Sequence, residues 1–211
     1  MQLADVNDGA TLAMRRVPRG LRYGLVGGQR DRLIVEGKVL TIVLVGRIAE
    51  TRFHTDKPIA SLHVMPLLDS DLATAHRLSG EDSIPPAQAT SKYLTVRASC
   101  TQPKRGMQQA VYDVSGRKGI KPKDRLESYD VQEIEKGDLV ALELNMKKFT
   151  NKAQFRQASF DFKAVLLLHK GKAEDIAIAK KALEPDQTES FSSSFYSDLS
   201  SAIKGKGKER G

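Results

Sequence analysis

The chain has 211 residues, of which 40% are hydrophobic and 28% charged, which suits a soluble globular protein with one sizeable core and tails. Its single cysteine, Cys100, excludes an intramolecular disulfide, and its longest apolar run, Val39–Val45, is too short to span a bilayer. The formal net charge of +8 favours an acidic partner, either nucleic acid or an anionic membrane surface. We expect a soluble intracellular protein without a targeting segment, in the nucleus or another compartment that contains DNA.

Residues 1–32 are predicted to form a flexible basic arm. The segment MRRVPRGLRYGLVGGQR is rich in arginine and glycine and has neither helical nor strand periodicity. A segment docked on the following domain is equally consistent with this composition. In an exposed arm, Tyr23 among the arginines would suit stacking on a base.

A β-rich domain is predicted over residues 33–185. Leu33–Ile48 resembles one long strand with apolar residues on both faces and bends at its glycines. Ile59–Leu68 is predicted as the next strand, and a short helix is expected near Leu72–Leu78. Lys92–Thr101 alternates as a half-buried strand with Arg97 on its outward face.

Met107–Val114 is predicted to be a short strand. The loop Ser115–Arg125 is basic and contains the glycine and proline of a mobile segment. The acidic stretch 127–143 is interpreted as a solvated face.

The strongest pattern is a long hairpin over Gly137–Leu168. In its first strand Val140, Leu142, Leu144 and Met146 share one face, and Leu139, Glu143, Asn145, Lys147 and Phe149 share the other. In its second strand the predicted apolar face is Ala158, Phe160, Phe162, Ala164, Leu166 and Leu168. The opposite face is Phe155, Gln157, Ser159, Asp161 and Lys163.

The C-terminal part begins with a predicted helix over Lys172–Leu183. Residues 186–211 are rich in serine, glycine and lysine and are predicted to be a disordered tail. Its hydrophobic residues, from Phe191 to Ile203, are either sparse tail residues or a helix that binds a partner. We therefore expect a homo-oligomer or a partner protein to be contacted through the tail.

No catalytic or metal-binding motif is present. The four histidines lack metal-ligand spacing, and neither a phosphate-binding glycine loop nor a nucleophile motif occurs. The sequence predicts no enzymatic activity, no cofactor and no metal. A two-metal nuclease built on the acidic clusters remains a minor alternative.

Basic residues and outward-facing aromatic rings occur in the same segments. Rings beside cations on an exposed β surface are suited to stacking on unpaired bases and neutralising phosphates. The predicted nucleic-acid-binding residues are Tyr93, Arg97, Lys118, Lys121, Lys147, Phe149, Lys152, Phe155 and Lys163.

The segments VLTIVLVGRIAETRF, IASLHVMPLL and KGDLVALELNMKKF resemble the strands of OB-fold single-stranded DNA-binding proteins, of the replication protein A or viral type. The resemblance implies a mainly β fold, an OB-like barrel of five to six strands with one or two short helices and disordered basic termini. It also implies binding of single-stranded DNA, or of RNA, with little sequence specificity, in replication, repair or recombination. The alternative is a β-sandwich structural protein of a viral or cellular nucleoprotein assembly.

Overall fold

A computed structural model describes residues 10–53, 59–81, 83, 94–101, 111–115, 126, 128–130, 133–150 and 156–183. The described strands are β1 (Thr11–Ala13), β2 (Arg22–Tyr23), β3 (Leu33–Val35), β4 (Lys38–Val39), β5 (Thr41–Phe53), β6 (Ile59–Pro66), β7 (Val96–Thr101), β8 (Val111–Asp113), β9 (Leu139–Thr150) and β10 (Arg156–His169). The described α-helices are α1 (Asp69–Glu81) and α2 (Ala173–Lys181), and short 3-10 helices span Met14–Arg16 and Gly27–Gln29. None of these helices is long and apolar enough to cross a membrane.

Five strands close into a ring. β5 pairs with β6, β6 with β7, β7 with β10, β10 with β9, and β9 returns to β5. All of these pairings are antiparallel except that of β7 with β10, which extends over only two residue pairs. If these five strands are numbered 1 to 5 in chain order, from β5 to β10 without β8, their order around the ring is 1-2-3-5-4-1. This is the strand order of the partly open Greek-key OB barrel, so the expected mainly β, OB-like fold is confirmed.

The barrel core comes from the period-two alternation of the strands. The predicted inward face of β9 is confirmed, since its four apolar residues are all fully buried. They meet Ile42 and Leu44 of β5 and Leu62 of β6 in one continuous cluster. Helix α1 adds Ala75 and Leu78 to the same core, so it covers part of the barrel interior.

Strand β10 changes register halfway along. Phe162 pairs with Leu144, but the next paired residue, Ala164, lies opposite Glu143, so Lys163 is an extra residue on β10. Beyond this bulge the fully buried leucine is Leu167, and the single face predicted through Leu166 and Leu168 is wrong for this half. An inserted residue reverses the inward and outward positions that follow it.

The predicted long strand over residues 33–48 is also wrong, because the structure breaks it into β3, β4 and β5. Glu36 and Gly37 both have positive φ, of 48° and 74°, and form the turn between β3 and β4. This left-handed conformation is open to glycine and uncommon for other residues. Strands β2, β3 and β4 consequently form a small separate sheet beside the barrel.

Of the two alternatives for residues 1–32, the described part, residues 10–32, is docked rather than an exposed arm. β1 pairs in parallel with the start of β5, and the Met14 side chain is fully buried in the core. Full burial of such a side chain contributes about 1.5–3 kcal/mol, and the buried Val17 and the β1–β5 pairing add to it. The buried residues Met14 and Val17 are separated by arginines, so the sequence shows no apolar periodicity in this segment. The predicted division at residue 32 therefore does not separate an arm from the barrel.

Part of the acidic stretch is structural. Asp138 is buried, and its carboxylate accepts hydrogen bonds from the backbone N–H of Glu135 and of Gly171, both at 2.9 Å. The Lys170 ammonium lies 3.1 Å from the same carboxylate. For Asp138 the interpretation as a solvated face is wrong, because a buried carboxylate with three donors fastens the turn before β9 to the chain after β10. Glu133 and Glu135 are exposed as expected.

Candidate functional site

A groove of about 620 Å³ runs over the outward face of β7, β10 and β9. Its charged lining residues are Arg32, Arg97, Lys147 and Asp161. The remaining lining residues are Phe149, Ser83, Ser99, Gln157, Ala158, Ser159 and Phe160. Three cations against one carboxylate make the groove attractive to an anion.

Cross-strand register arranges the groove floor in three rows. In the first row Phe149 lies opposite Gln157, and in the second Lys147 lies opposite Ser159. In the third row, Asp161 lies between Asn145 of β9 and Ser99 of β7. Side chains in neighbouring rows on one strand are two residues, or about 7 Å, apart. The floor therefore presents a ring, then a cation, then a carboxylate along its length.

Arg32 forms the side of the groove next to β9. Its Nη1 donates a hydrogen bond of 3.3 Å to the Oδ1 of Asn145, and its backbone forms a bridge with Lys147. The Lys148 N–H donates to the carbonyl of Asp31 at 2.8 Å. Because these bonds hold the chain entering β3 against β9, Arg32 has a fixed position in the groove. Arg32 was not predicted as a site residue because it is one of several arginines in residues 1–32. The sequence feature that could have indicated a fixed position for it is the next residue, Leu33, which is apolar and begins β3.

Phe149 is the aromatic surface of the groove. Its side chain is 41% exposed although it lies near the end of a well-paired strand. A single exposed hydrophobic side chain is ordinary on a protein surface. What distinguishes Phe149 is that its ring shares the groove with three cations, a combination suited to stacking on a base and binding its phosphate. Tyr23 is not available in the same way, because the Lys148 ammonium lies 3.7 Å from its ring centroid.

Asp161 is the carboxylate of the groove floor. Burial raises the pKa of its carboxyl above the ordinary value of 3.8, while Arg32, Lys147 and Lys163 act in the opposite direction. That the pKa is raised despite three cations means that loss of water outweighs their attraction. The alternation along β10 predicts that Asp161 faces outward, but a carboxylate does not attract phosphate, so Asp161 is not among the predicted site residues.

The β7 side of the groove carries Arg97, which lies opposite His63 on β6. Burial lowers the pKa of the His63 imidazole, Glu50 raises it, and Arg97 lowers it further. The histidine therefore adds little positive charge near neutral pH. Ser83 fixes the adjoining end of α1, since its hydroxyl donates to the Ser79 carbonyl at 2.8 Å and accepts from the Ala158 N–H at 3.1 Å. No sequence signal pointed to Ser83.

The nine predicted site residues divide into three groups. Arg97, Lys147 and Phe149 are brought together in the groove. Lys163 is the bulged residue of β10; it is exposed and acts electrostatically on Asp161, but it does not line the groove. The other five lie outside the described residues: Tyr93, Lys118, Lys121, Lys152 and Phe155.

Within the described ranges no group of three or more histidine, cysteine, aspartate or glutamate side chains is placed to hold a metal ion.

No protein-family model and no curated protein sequence matches the chain. Among solved structures it is similar to gp2.5, a single-stranded DNA-binding protein encoded by bacteriophage T7, with 12% identity and a TM-score of 0.36 over 72% of this chain and 98% of that chain. It is also similar to a C-terminally truncated single-stranded DNA-binding protein from bacteriophage Enc34, with 13% identity and a TM-score of 0.36 over 72% of this chain and 97% of that one.

The bacteriophage Enc34 protein in complex with single-stranded DNA matches with 13% identity and a TM-score of 0.31, over 74% of this chain and 98% of that one. Each of these three is described as a single-stranded DNA-binding protein. The fold assignment rests on the strand order of the ring.

Proposed function

We propose that the groove binds single-stranded DNA with little sequence preference, and that the protein protects or presents such strands during replication, repair or recombination. The observation that carries the proposal is the exposed ring of Phe149 beside the cations Lys147, Arg97 and Arg32 in one groove. Every base offers a π-face to a ring, and every phosphate attracts a cation, so this pairing of groups is tolerant of sequence.

The exposed ring favours a single strand over a duplex. In duplex DNA both faces of a base are covered by its neighbours, so a ring such as Phe149 gains nothing unless the bases separate. Single-stranded RNA presents the same faces and phosphates, so it is an outcome of the test rather than a second proposal.

The charge is arranged to guide a backbone. Lys147 and Arg97 are both exposed. Lys147, on β9, lies opposite Ser159, and Arg97 lies on β7, two residues before Ser99, the partner of Asp161. Phosphates following the floor can bind both cations while the bases turn toward the ring. Binding of this kind releases counterions and weakens steeply as salt rises.

The test is a fluorescence titration of the full chain with a short single-stranded DNA, the matching duplex and the matching RNA, at two salt concentrations. We expect the single strand to bind more tightly than the duplex, and the affinity to fall with salt. The matched control is Lys180→Ala, an exposed cation of α2 outside the groove, which should bind as the wild type does. Salt-independent binding, or equal affinity for duplex and single strand, would refute the proposal.

We further propose that residues 186–211, which lie outside the described residues, contact other proteins. Their serine- and lysine-rich composition and their few hydrophobic residues suit contacts to another copy of the chain or to a partner protein. Deleting them should change the cooperativity of binding along a long strand while a short oligonucleotide binds as before.

A further inference from the structure

The carboxylate of Asp161 has no role in holding phosphate, although it lies on the floor of the groove. It repels a phosphate, and its own charge is disfavoured by burial. Among the described residues nothing forms a hydrogen bond or close ion pair with it; Arg32, Lys147 and Lys163 act on it only through space. Arg32 directs its Nη1 to Asn145 instead. The fold therefore gains little from an acid at this position.

We infer that Asp161 recognises a base in the bound strand and gives this part of the groove a preference for guanine. The inference rests on the proposed function and adds a local preference to a groove that otherwise tolerates any sequence. A carboxylate has two acceptor oxygens and no donor when ionised. The Watson–Crick edge of guanine offers two adjacent donors, N1–H and the 2-amino group, which match those oxygens side by side.

The other bases fit this position less well. Cytosine and adenine offer one amino donor next to a ring nitrogen that only accepts, so one carboxylate oxygen faces an acceptor. Thymine offers N3–H between two carbonyl oxygens, which the carboxylate repels. Unpaired bases in single strands are commonly read by hydrogen bonds on this edge.

The register of the floor makes the arrangement possible. Asp161 lies four residues along β10 from Gln157, the partner of Phe149, which corresponds to about 13 Å. That distance exceeds the length of a base, so the ring and the carboxylate act on different nucleotides. Lys147, in the row between them, is placed to hold the phosphate that connects those nucleotides.

The test compares three short oligonucleotides in a thymine background: all thymine, one central guanine, and one central hypoxanthine, which lacks the 2-amino group. Wild-type protein should bind the guanine oligonucleotide about tenfold more tightly than the all-thymine one, and hypoxanthine should lose most of this gain. Asp161→Asn should bind all three about equally. Lys147→Ala is the matched control and should weaken all three equally, because a phosphate contact carries no base information.

The outcomes separate the two claims. Salt-dependent binding of all-thymine DNA supports the proposed function whatever the central base does. Equal affinity of the wild type for guanine and thymine, or a preference that survives in Asp161→Asn, would overturn the role of Asp161 alone. The hypoxanthine comparison uses only wild-type protein, and Asp161 is the one carboxylate among the described residues that line the groove. A preference for guanine that hypoxanthine keeps in full would therefore overturn the inference even if the variant did not fold. Absence of any binding would overturn both claims.

Discussion

Arg32 donates a hydrogen bond to Asn145 across a separation of 113 residues, and this bond joins the docked N-terminal segment to the barrel. Asn145 is itself fully buried on the outward side of β9. Its Nδ2 donates to the carbonyls of Leu40 at 2.6 Å and of Leu144 at 3.4 Å. The Asn145 side chain thus holds the chain at Leu40, just after the small sheet, and also fixes the guanidinium of Arg32 in the groove.

Replacing Asn145 with alanine should destabilise the protein and weaken DNA binding. The change removes the side-chain donor to the Leu40 carbonyl and releases Arg32 from its fixed position. Loss of a buried hydrogen-bonded group costs about 1–3 kcal/mol, which chemical denaturation should detect. Gln157→Ala, an exposed change in the same groove, is the control and should leave the free energy of unfolding within about 0.5 kcal/mol.

Replacing Phe149 with alanine should weaken binding of single-stranded DNA by about 1–3 kcal/mol, because one stacking surface is lost. The melting temperature should change little, since the ring is partly exposed and makes no core contact in the cluster of buried residues. Phe149→Tyr keeps a ring and should retain affinity. If the alanine variant bound as tightly as the wild type, the ring would have no part in recognition.

Replacing Lys147 or Arg97 with alanine should reduce the salt dependence of binding. Each phosphate contact on a single strand contributes about 0.7 to the slope of log affinity against log salt concentration. Each variant should therefore show a slope shallower by about this amount, measured by titration at four salt concentrations. A slope unchanged in both variants would mean that the phosphates follow another path.

Stability should fall as the pH is lowered from 6.5. Burial lowers the pKa of the His76 imidazole, a backbone hydrogen bond involving Thr95 acts in the opposite direction, and Nε2 has no hydrogen-bond partner among the described groups. The unfolded chain then takes up the proton first, so stability is lost from about pH 6.5 down to the folded-state pKa. His63 acts in the same sense.

The measurement for this pH effect is thermal unfolding at pH 7.5 and pH 5.5. The His76→Gln variant should lose less stability between the two conditions than the wild type does. Ala73→Gln, an exposed change on the same helix, is the control and should behave as the wild type. An identical pH dependence in wild type and His76→Gln would exclude His76 as the cause.

Replacing Asp161 with asparagine should stabilise the protein at neutral pH. Because burial raises the pKa of this carboxyl, the folded state holds its proton more strongly than the unfolded state, and ionisation at higher pH costs stability. The gain should shrink as the pH falls toward 3.8, where the unfolded chain is also protonated. The free energy of unfolding should be measured by denaturant titration at a series of pH values, with Ser159→Ala as the control. A difference between Asp161→Asn and wild type that stayed constant with pH would contradict this explanation.

The alternation of apolar and polar residues predicted which side chains face inward wherever strand pairing runs without interruption. The inward face of β9 and the outward positions Gln157, Ser159 and Asp161 of β10 followed from a period of two, and both are confirmed, whereas Phe155 of the same predicted face lies outside the described residues. The prediction failed after the bulge at Lys163, because an inserted residue leaves no mark in composition. It also failed at Glu36, a non-glycine residue with positive φ that a sequence pattern does not reveal.

The candidate site was predictable where its residues alternate with apolar ones along a single strand, and Arg97 on β7 was found in this way. Lys147 and Phe149 were found because cations and rings alternate with apolar residues on one strand. Arg32 was missed because its position depends on a partner, Asn145, that is remote in sequence. Ser83 was missed because its hydroxyl bonds to backbone groups of other elements.

Ring closure also has a kinetic consequence. The hairpins β5–β6 and β9–β10 join strands that are close in sequence, whereas β5–β9 pairing brings Ile42 to Leu144, about a hundred residues away. Closing such a loop costs chain entropy before the contact returns any free energy. We therefore expect the hairpins to form first and the joining of β5 to β9 to limit the folding rate. Substitutions at that seam should slow refolding, whereas substitutions in the N-terminal segment should mainly hasten unfolding.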